Sequence, residues 1–258
     1  MDGAFKGRFM ALWQKYFGDA PLPMVFYYTD KEEEGVIKVK APEVHRCMVA
    51  DLARVAVGKS ILFDAGSIGC FGGKHYLGYS EGWMPHFEYF LSCGLPGTVE
   101  GERYKKTPEL VKDYTTLLPG WKAPAPYMVF KRWDKIADGD DPQVAIFFAS
   151  PDVLSGLFTL ANFDVKGLDG VMSPFGSGCA AIVQFPYLER ETEGPKAVLG
   201  MLDVSARPCV RPNVLTFALP VKRLRVMAEN MDESFLTTES WAMVRKRIDL
   251  ATKEKAKA

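Results

Sequence analysis

The residues of this 258-residue chain best suited to nucleophilic, redox or metal chemistry are its five cysteines, and three of them stand where a helix is about to begin. Cys47 follows Pro42-Glu43 and precedes an amphipathic run from Met48 to Val57. Cys70 lies in Gly66-Ser67-Ile68-Gly69-Cys70-Phe71-Gly72-Gly73, and Cys179 in Gly176-Ser177-Gly178-Cys179-Ala180-Ala181. A thiol in a first helical turn meets the positive end of the macrodipole and unpaired backbone N–H groups. Both favour the thiolate and lower its pKa. Glycine at such an entry, Gly69 or Gly178, lets a ligand approach the backbone closely. Lys74 would share a face with Cys70 if that helix began at Gly69. The pattern predicts Cys70 and Cys179 as catalytic thiolates, with Cys47, Gly69, Lys74, Ser177 and Gly178 binding a ligand. Cys93 and Cys209 have no such context and read as structural. Each cysteine also has a bland role open to it, as a small buried hydrophobe.

Other chemistries fit the spacing less well. No Cys-x-x-Cys and no paired Cys/His spacing occurs, so a sequence-local zinc module is not indicated. A metal or an iron–sulfur cluster remains a candidate for Cys47, Cys70 and Cys179 only if the fold gathers them. The segment Gly176 to Ala181 fits G-x-G-x-x-A, but Pro174 interrupts the approach to it, and tight turn packing explains the glycines better than a dinucleotide loop. His45, His75 and His86 are the only histidines, and none pairs with a cysteine along one helix face. A second feature is Leu202-Asp203-Val204-Ser205-Ala206-Arg207-Pro208. If the apolar strand before it continues, Asp203, Ser205 and Arg207 alternate onto one face. Arg207 would then clamp an anion bidentately and Asp203 would orient it, or the two would simply pair with each other.

The elements that must position these residues can be read from periodicity. Phe5, Phe9, Leu12, Trp13, Tyr16 and Phe17 trace one face of an amphipathic helix within residues 1–20, expected to dock on the core rather than to act as a signal peptide. Met24 to Tyr28 reads as a buried strand, Val36 to Val39 as a returning strand, and Cys47 to Val57 as a helix closed by Gly58. Ile61 to Phe63 is a short strand, and Tyr76 to Leu91 reads as mostly helix. Residues 94–126 form a polar, proline-punctuated excursion or lid. Tyr127 to Phe130 and Val144 to Ala149 look like adjacent strands across an Asp138 to Pro142 turn. A helix follows from Pro151, where proline is favoured, and another from Gly178 to Leu188. Val171 to Ser173, Ala197 to Leu202 and Val214 to Ala218 read as strands, Leu224 to Met231 and Phe235 to Leu250 as helices. Residues 251–258 read as a frayed basic tail. Strands and helices mixed along the chain predict an α+β fold, a mixed sheet with helices packed on it, in a single domain over residues 1–258.

Composition narrows the partners. Lys+Arg and Asp+Glu each number 32, so the net charge is zero and nothing electrostatic invites nucleic acid or an anionic membrane. No apolar run approaches the roughly 20 residues of a membrane span. An odd number of cysteines argues against a secreted disulfide framework and points to a cytoplasmic protein with reduced thiols.

Pro42 with Cys47, Gly69 to Gly73 with Leu77-Gly78, Gly178-Cys179-Ala180 with Pro186, and Asp203 to Arg207 occur in an order that resembles the ArCR group, domain-of-unknown-function family 169. Leu215 to Pro220, Leu224, Glu229-Asn230, Ser234-Phe235 and Trp241 extend the likeness, which runs from about Met24 to Arg247. The resemblance implies one domain with a site near these cysteines, and it carries no substrate. The expectation is a protein that binds a small anionic metabolite or cofactor of open identity in a cysteine-lined pocket, with a thiolate as nucleophile or redox centre. A metal or iron–sulfur protein and a non-catalytic sensor are the alternatives. A homodimer is compatible with the sequence, which leaves open whether the protein is an enzyme.

Overall fold

The computed structural model describes residues 1, 3–44 and 46–255, the side chains of 253–255 excepted. The chain is α+β. One open mixed sheet has the strand order β2-β3-β4-β1-β5-β8-β7-β6. Its strands are β1 (Met24–Thr29), β2 (Ile37–Lys38), β3 (Ile61–Phe63), β4 (Tyr127–Arg132), β5 (Val144–Ala149), β6 (Val171–Met172), β7 (Ala197–Gly200) and β8 (Leu215–Pro220). β2 runs parallel to β3 and β6 to β7; the other neighbours are antiparallel.

Alternation along the central strands sorts the core into two layers, because successive side chains leave a strand on opposite faces. Val25, Ala145, Phe147, Phe217 and Leu219 face helices α1 (Gly3–Phe17), α6 (Pro151–Ala161), α8 (Val221–Asn230) and α9 (Glu239–Lys255). Met24, Phe26, Val144, Ile146 and Ala218 face α2 (Met48–Ala56), α3 (Phe71–Tyr76) and a π-helical turn, Ala180–Gln184, that runs into α7 (Phe185–Leu188). The cysteine-bearing helix starts thus all lie on the second face.

The N-terminal reading holds residue by residue: Phe5, Phe9, Leu12, Trp13, Tyr16 and Phe17 are the buried side of α1. Trp13 stacks on Phe17 at 4.2 Å, and Phe9 meets Trp133 at 4.5 Å. Burying each such side chain stabilises by roughly 1.5–3 kcal/mol, which settles docking on the core over lying on a bilayer. Among the described residues no helix is long and apolar enough to cross a membrane. Beneath β1 and β4, buried Lys131 reaches Asp140 and Glu33, each at 2.8 Å, and Tyr27 hydroxyl bridges the same two carboxylates.

Several expectations are corrected. β4 and β5 are not neighbours, since β1 lies between them and pairs antiparallel with both. β2 pairs with β3, not back onto β1. The stretch 76–91 is not mostly helix: α3 stops at Tyr76, Gly78 sits at φ +79°, Pro85 intervenes, and only Phe87–Phe90 (α4) is helical again. The excursion contains a helix of its own, α5 (Pro108–Leu117), capped by Thr107. The basic tail is helical as far as Lys255, and its last three residues lie outside the described ones, as does His45.

Candidate functional site

Four chain segments carry a cysteine to the same place. Cys47 occupies the N-cap position of α2 with extended backbone and no side-chain cap of its own. Cys70 is the N-cap of α3, where its sulfur accepts the Gly73 N–H at 3.1 Å. Glycine is required at both ends of that arrangement. A Cβ on Gly73 would stand 2.7 Å from the Cys70 sulfur, and one on Gly69 would overlap the Pro42 ring, so the Cys47 and Cys70 entries could not close on each other. Cys179 lies in the first turn of the third helix, after Ser177, whose hydroxyl accepts the Ala180 N–H at 3.1 Å. Cys209 ends a short 3-10 turn, Arg207–Cys209. Cys70 and Cys179 are buried, Cys47 and Cys209 half-buried.

Cys47 interacts with the thiols of Cys179 and Cys209 through hydrogen bonds and with Cys70 through charge, and the protons are shared unequally. Cys47 is pulled down to about 6, chiefly because the Cys179 thiol donates to its sulfur. The Val49 N–H, which faces the sulfur without closing a regular cap, and the Cys209 thiol add to this against the cost of burial. Cys179 is held well above the ordinary thiol value by its bond to Cys47 and by full burial. Cys209 is pushed up to about 11 by desolvation and the Cys47 charge. Cys70 is raised by burial, which outweighs the Gly73 N–H. These shifts favour the thiolate at Cys47, whereas the sequence points to Cys70 and Cys179. Cys209, read as structural, joins the cluster. Its signal was its place two residues after Arg207, inside a segment already singled out.

The Asp203 segment supports the cluster in a form other than expected. β7 ends at Gly200, Met201 takes φ +64°, and the chain turns, so Asp203, Ser205 and Arg207 do not alternate along a strand. One Asp203 oxygen accepts the Gly178 N–H at 3.0 Å; the other accepts Ser205 N–H at 3.0 Å and its hydroxyl at 2.8 Å. Asp203 thus caps the helix start of Cys179 instead of orienting Arg207. Arg207 donates to the carbonyls of Met201, Val214, Arg211 and Pro212, which uses four of its five donors on backbone. The guanidinium ties the 3-10 turn of Cys209 to the lead-in of β8.

The excursion closes over this region. Tyr114 on α5 donates to the Phe175 carbonyl at 3.3 Å and accepts from buried Tyr76, whose phenol is pushed up mainly by burial, with Tyr114 and the Asp203 charge adding. Ala123 N–H returns to Gly78 at 2.9 Å, and Gln184 of the π turn donates to the Pro119 carbonyl at 2.9 Å. Such π-helical turns are concentrated at functional sites. A cavity of about 170 Å3, lined by Lys40, Arg46, Met48, Ser67 and Gly69, opens between the Cys47 and Cys70 entries. Arg46 pairs there with buried Asp51 at 2.7 Å. Lys74 stands half-buried in the last turn of α3, His75 is buried and packed against Trp83 at 3.9 Å, and Cys93 is exposed and apart from the cluster. Among the described residues no group of three or more His, Cys, Asp or Glu side chains is arranged to hold a metal ion.

Fold and site together define an α+β protein with four cysteines, three at helix starts and one at the end of a turn, on one face of a mixed sheet. The family model of the uncharacterised ArCR proteins, domain-of-unknown-function family 169, matches residues 20–230, and the chain belongs to that family. No curated protein and no solved structure matches the chain.

Proposed function

We propose that this protein binds a small anionic metabolite or cofactor beside the four cysteines and acts on it by thiol–disulfide chemistry through Cys47. What supports the reading is the meeting of Cys47, at the N-cap of α2, with the Cys179 and Cys209 thiols, whose donation favours its thiolate. A thiolate with thiols already in contact has both the nucleophile and the resolving groups that disulfide exchange requires. Cys47 attacks one sulfur of an external disulfide; the new S–S bond forms as the old one breaks. The departing thiolate takes the proton of Cys179, whose sulfur then attacks Cys47 and releases the second half of the ligand. The ligand disulfide gains two electrons and the protein, now Cys47–Cys179 disulfide, loses two. In the adjoining cavity Arg46 is matched by Asp51, and Lys40, exposed and unpaired among the described residues, supplies the one uncompensated positive charge that suits an anion.

Oxidised glutathione, a small anionic disulfide, is the probe. Its addition to the reduced full chain should produce a Cys47 mixed disulfide and then a Cys47–Cys179 or Cys47–Cys209 crosslink, resolved by peptide mass. Modification confined to exposed Cys93 would end the reading.

A further inference from the structure

On the other side of Cys209 lies a larger space. A cleft of about 520 Å3 opens at the end of the sheet where β5 finishes and β1 begins, between α2 and α9. Its walls come from both core layers: Leu52 and Ile146 from one, Ala149, Val153 and Ile248 from the other. Two charged residues line it, Arg132 and Arg211, and no carboxylate does. Arg132 is spent: it holds Asp134 through two bonds, at 2.6 and 2.9 Å, and the Ala56 carbonyl. Arg211 is exposed, and its guanidinium makes no hydrogen bond or ion pair with any described residue.

We infer that this cleft is a binding site for a hydrophobic carboxylate, its chain against the apolar walls and its anion on Arg211. The volume falls within the range of small-molecule sites, about 300–1,000 Å3, and the pattern of apolar walls with one orienting charge is what such sites share. A neutral apolar guest would leave Arg211 unused, and a cationic one would be repelled by it. Cys209 lines the same cleft, so an occupant covers one of the thiols in contact with Cys47. The inference goes beyond the thiol reading and stands without it.

Decanoate is the probe, titrated calorimetrically into the full chain with 1-decanol and decylammonium in parallel. One decanoate should bind per chain, 1-decanol more weakly by about tenfold, the difference of one charge-assisted contact, and decylammonium not at all. Arg211→Ala, at an exposed position, should weaken decanoate by about the same factor and leave 1-decanol unchanged. Ala53→Trp, on the exposed side of α2, should fill the cleft and remove both. Bound decanoate should also protect Cys209 from N-ethylmaleimide in the unaltered chain, a result that does not depend on any variant folding. Absence of binding, binding that survives Ala53→Trp in a folded chain, or Cys209 alkylated at the same rate with and without decanoate would each overturn the assignment. Decanoate binding alongside an ordinary Cys47 thiol would sink the disulfide reading and leave the cleft standing.

Discussion

Replacing Cys179 by alanine removes the thiol that donates to the Cys47 sulfur, the largest single reason that Cys47 titrates near 6 instead of at the ordinary value of 9.0. Without that donor the Cys47 midpoint should climb by about two to three units. Rate at neutral pH is a poor reporter of this change. At pH 7 the thiolate fraction would fall from about 0.9 to between about 0.1 and 0.01. Yet a more basic thiolate is the better nucleophile, with a Brønsted slope of about 0.4–0.5 that returns roughly an eight- to twentyfold gain. The two effects nearly cancel. At pH 5 they do not, and Cys47 should alkylate roughly ten to fifty times more slowly in Cys179→Ala than in the parent chain. The assay is iodoacetamide labelling from pH 4 to 10, quantified on the Cys47 peptide so that Cys93 does not intrude. Cys179→Ser keeps a donor and should restore much of the low midpoint, which separates hydrogen bonding from a packing defect. A parent midpoint at 8.5 or above, or an unmoved midpoint in Cys179→Ala, would refute the argument.

Other consequences can be measured on the same material. Because the folded Cys47 value lies below the unfolded one, its contribution to stability is full above pH 9 and vanishes as pH falls through 6. Urea titrations should show on the order of 2 kcal/mol of stability gained between pH 5 and 8 that Cys47→Ser lacks. Above pH 9 the raised Cys179 and Cys209 values act in the opposite sense, so stability should decline there. Asp203→Asn keeps an acceptor for Gly178 but removes the charge that opposes the Cys47 thiolate, so its labelling midpoint should move down. Gly73→Ala, which sets a methyl 2.7 Å from the Cys70 sulfur and 2.8 Å from Ile68, should cost about 1–3 kcal/mol in chemical denaturation by overpacking. Asp140→Ala leaves the buried Lys131 ammonium with Glu33 as its one carboxylate partner and should cost about 1–3 kcal/mol by the same measurement.

What could be read from the sequence follows from which forces act locally. The aromatic face of α1, the Pro151 start of α6 and the Gly58 stop after α2 are written in period, ring geometry and a single positive φ of +87°. Strand partners are not written this way. Tyr127 to Phe130 and Val144 to Ala149 are close in sequence, yet both pair with β1 more than a hundred residues upstream of the latter, because the centre of the sheet is the deepest place for Phe26. The candidate site divides along the same line. Cys70 and Cys179 are recognisable from glycine and serine around them and Cys47 from the helical run after it, whereas Cys209 sits in a turn that Arg207 fixes through carbonyls of a segment with no regular period. Which sulfur holds the negative charge depends on contacts among residues 47, 179 and 209, and no local pattern encodes those. The long helix expected over 76–91 failed because its aromatic spacing reflects a stack, Trp83 on His75 and Phe87, in a chain broken at Gly78 and Pro85.

Helices α1 and α9 meet outside the stretch that the family model matches: Trp241 of α9 donates its indole N–H to the Tyr16 carbonyl of α1 at 2.7 Å and packs on Phe17 at 5.2 Å. A polypeptide trimmed to residues 20–230 would keep every cysteine of the cluster while laying bare Phe147, Leu157 and Met227, aggregating before its thiols could be assayed. Anyone expressing this protein should leave both flanks intact and attach purification handles beyond them.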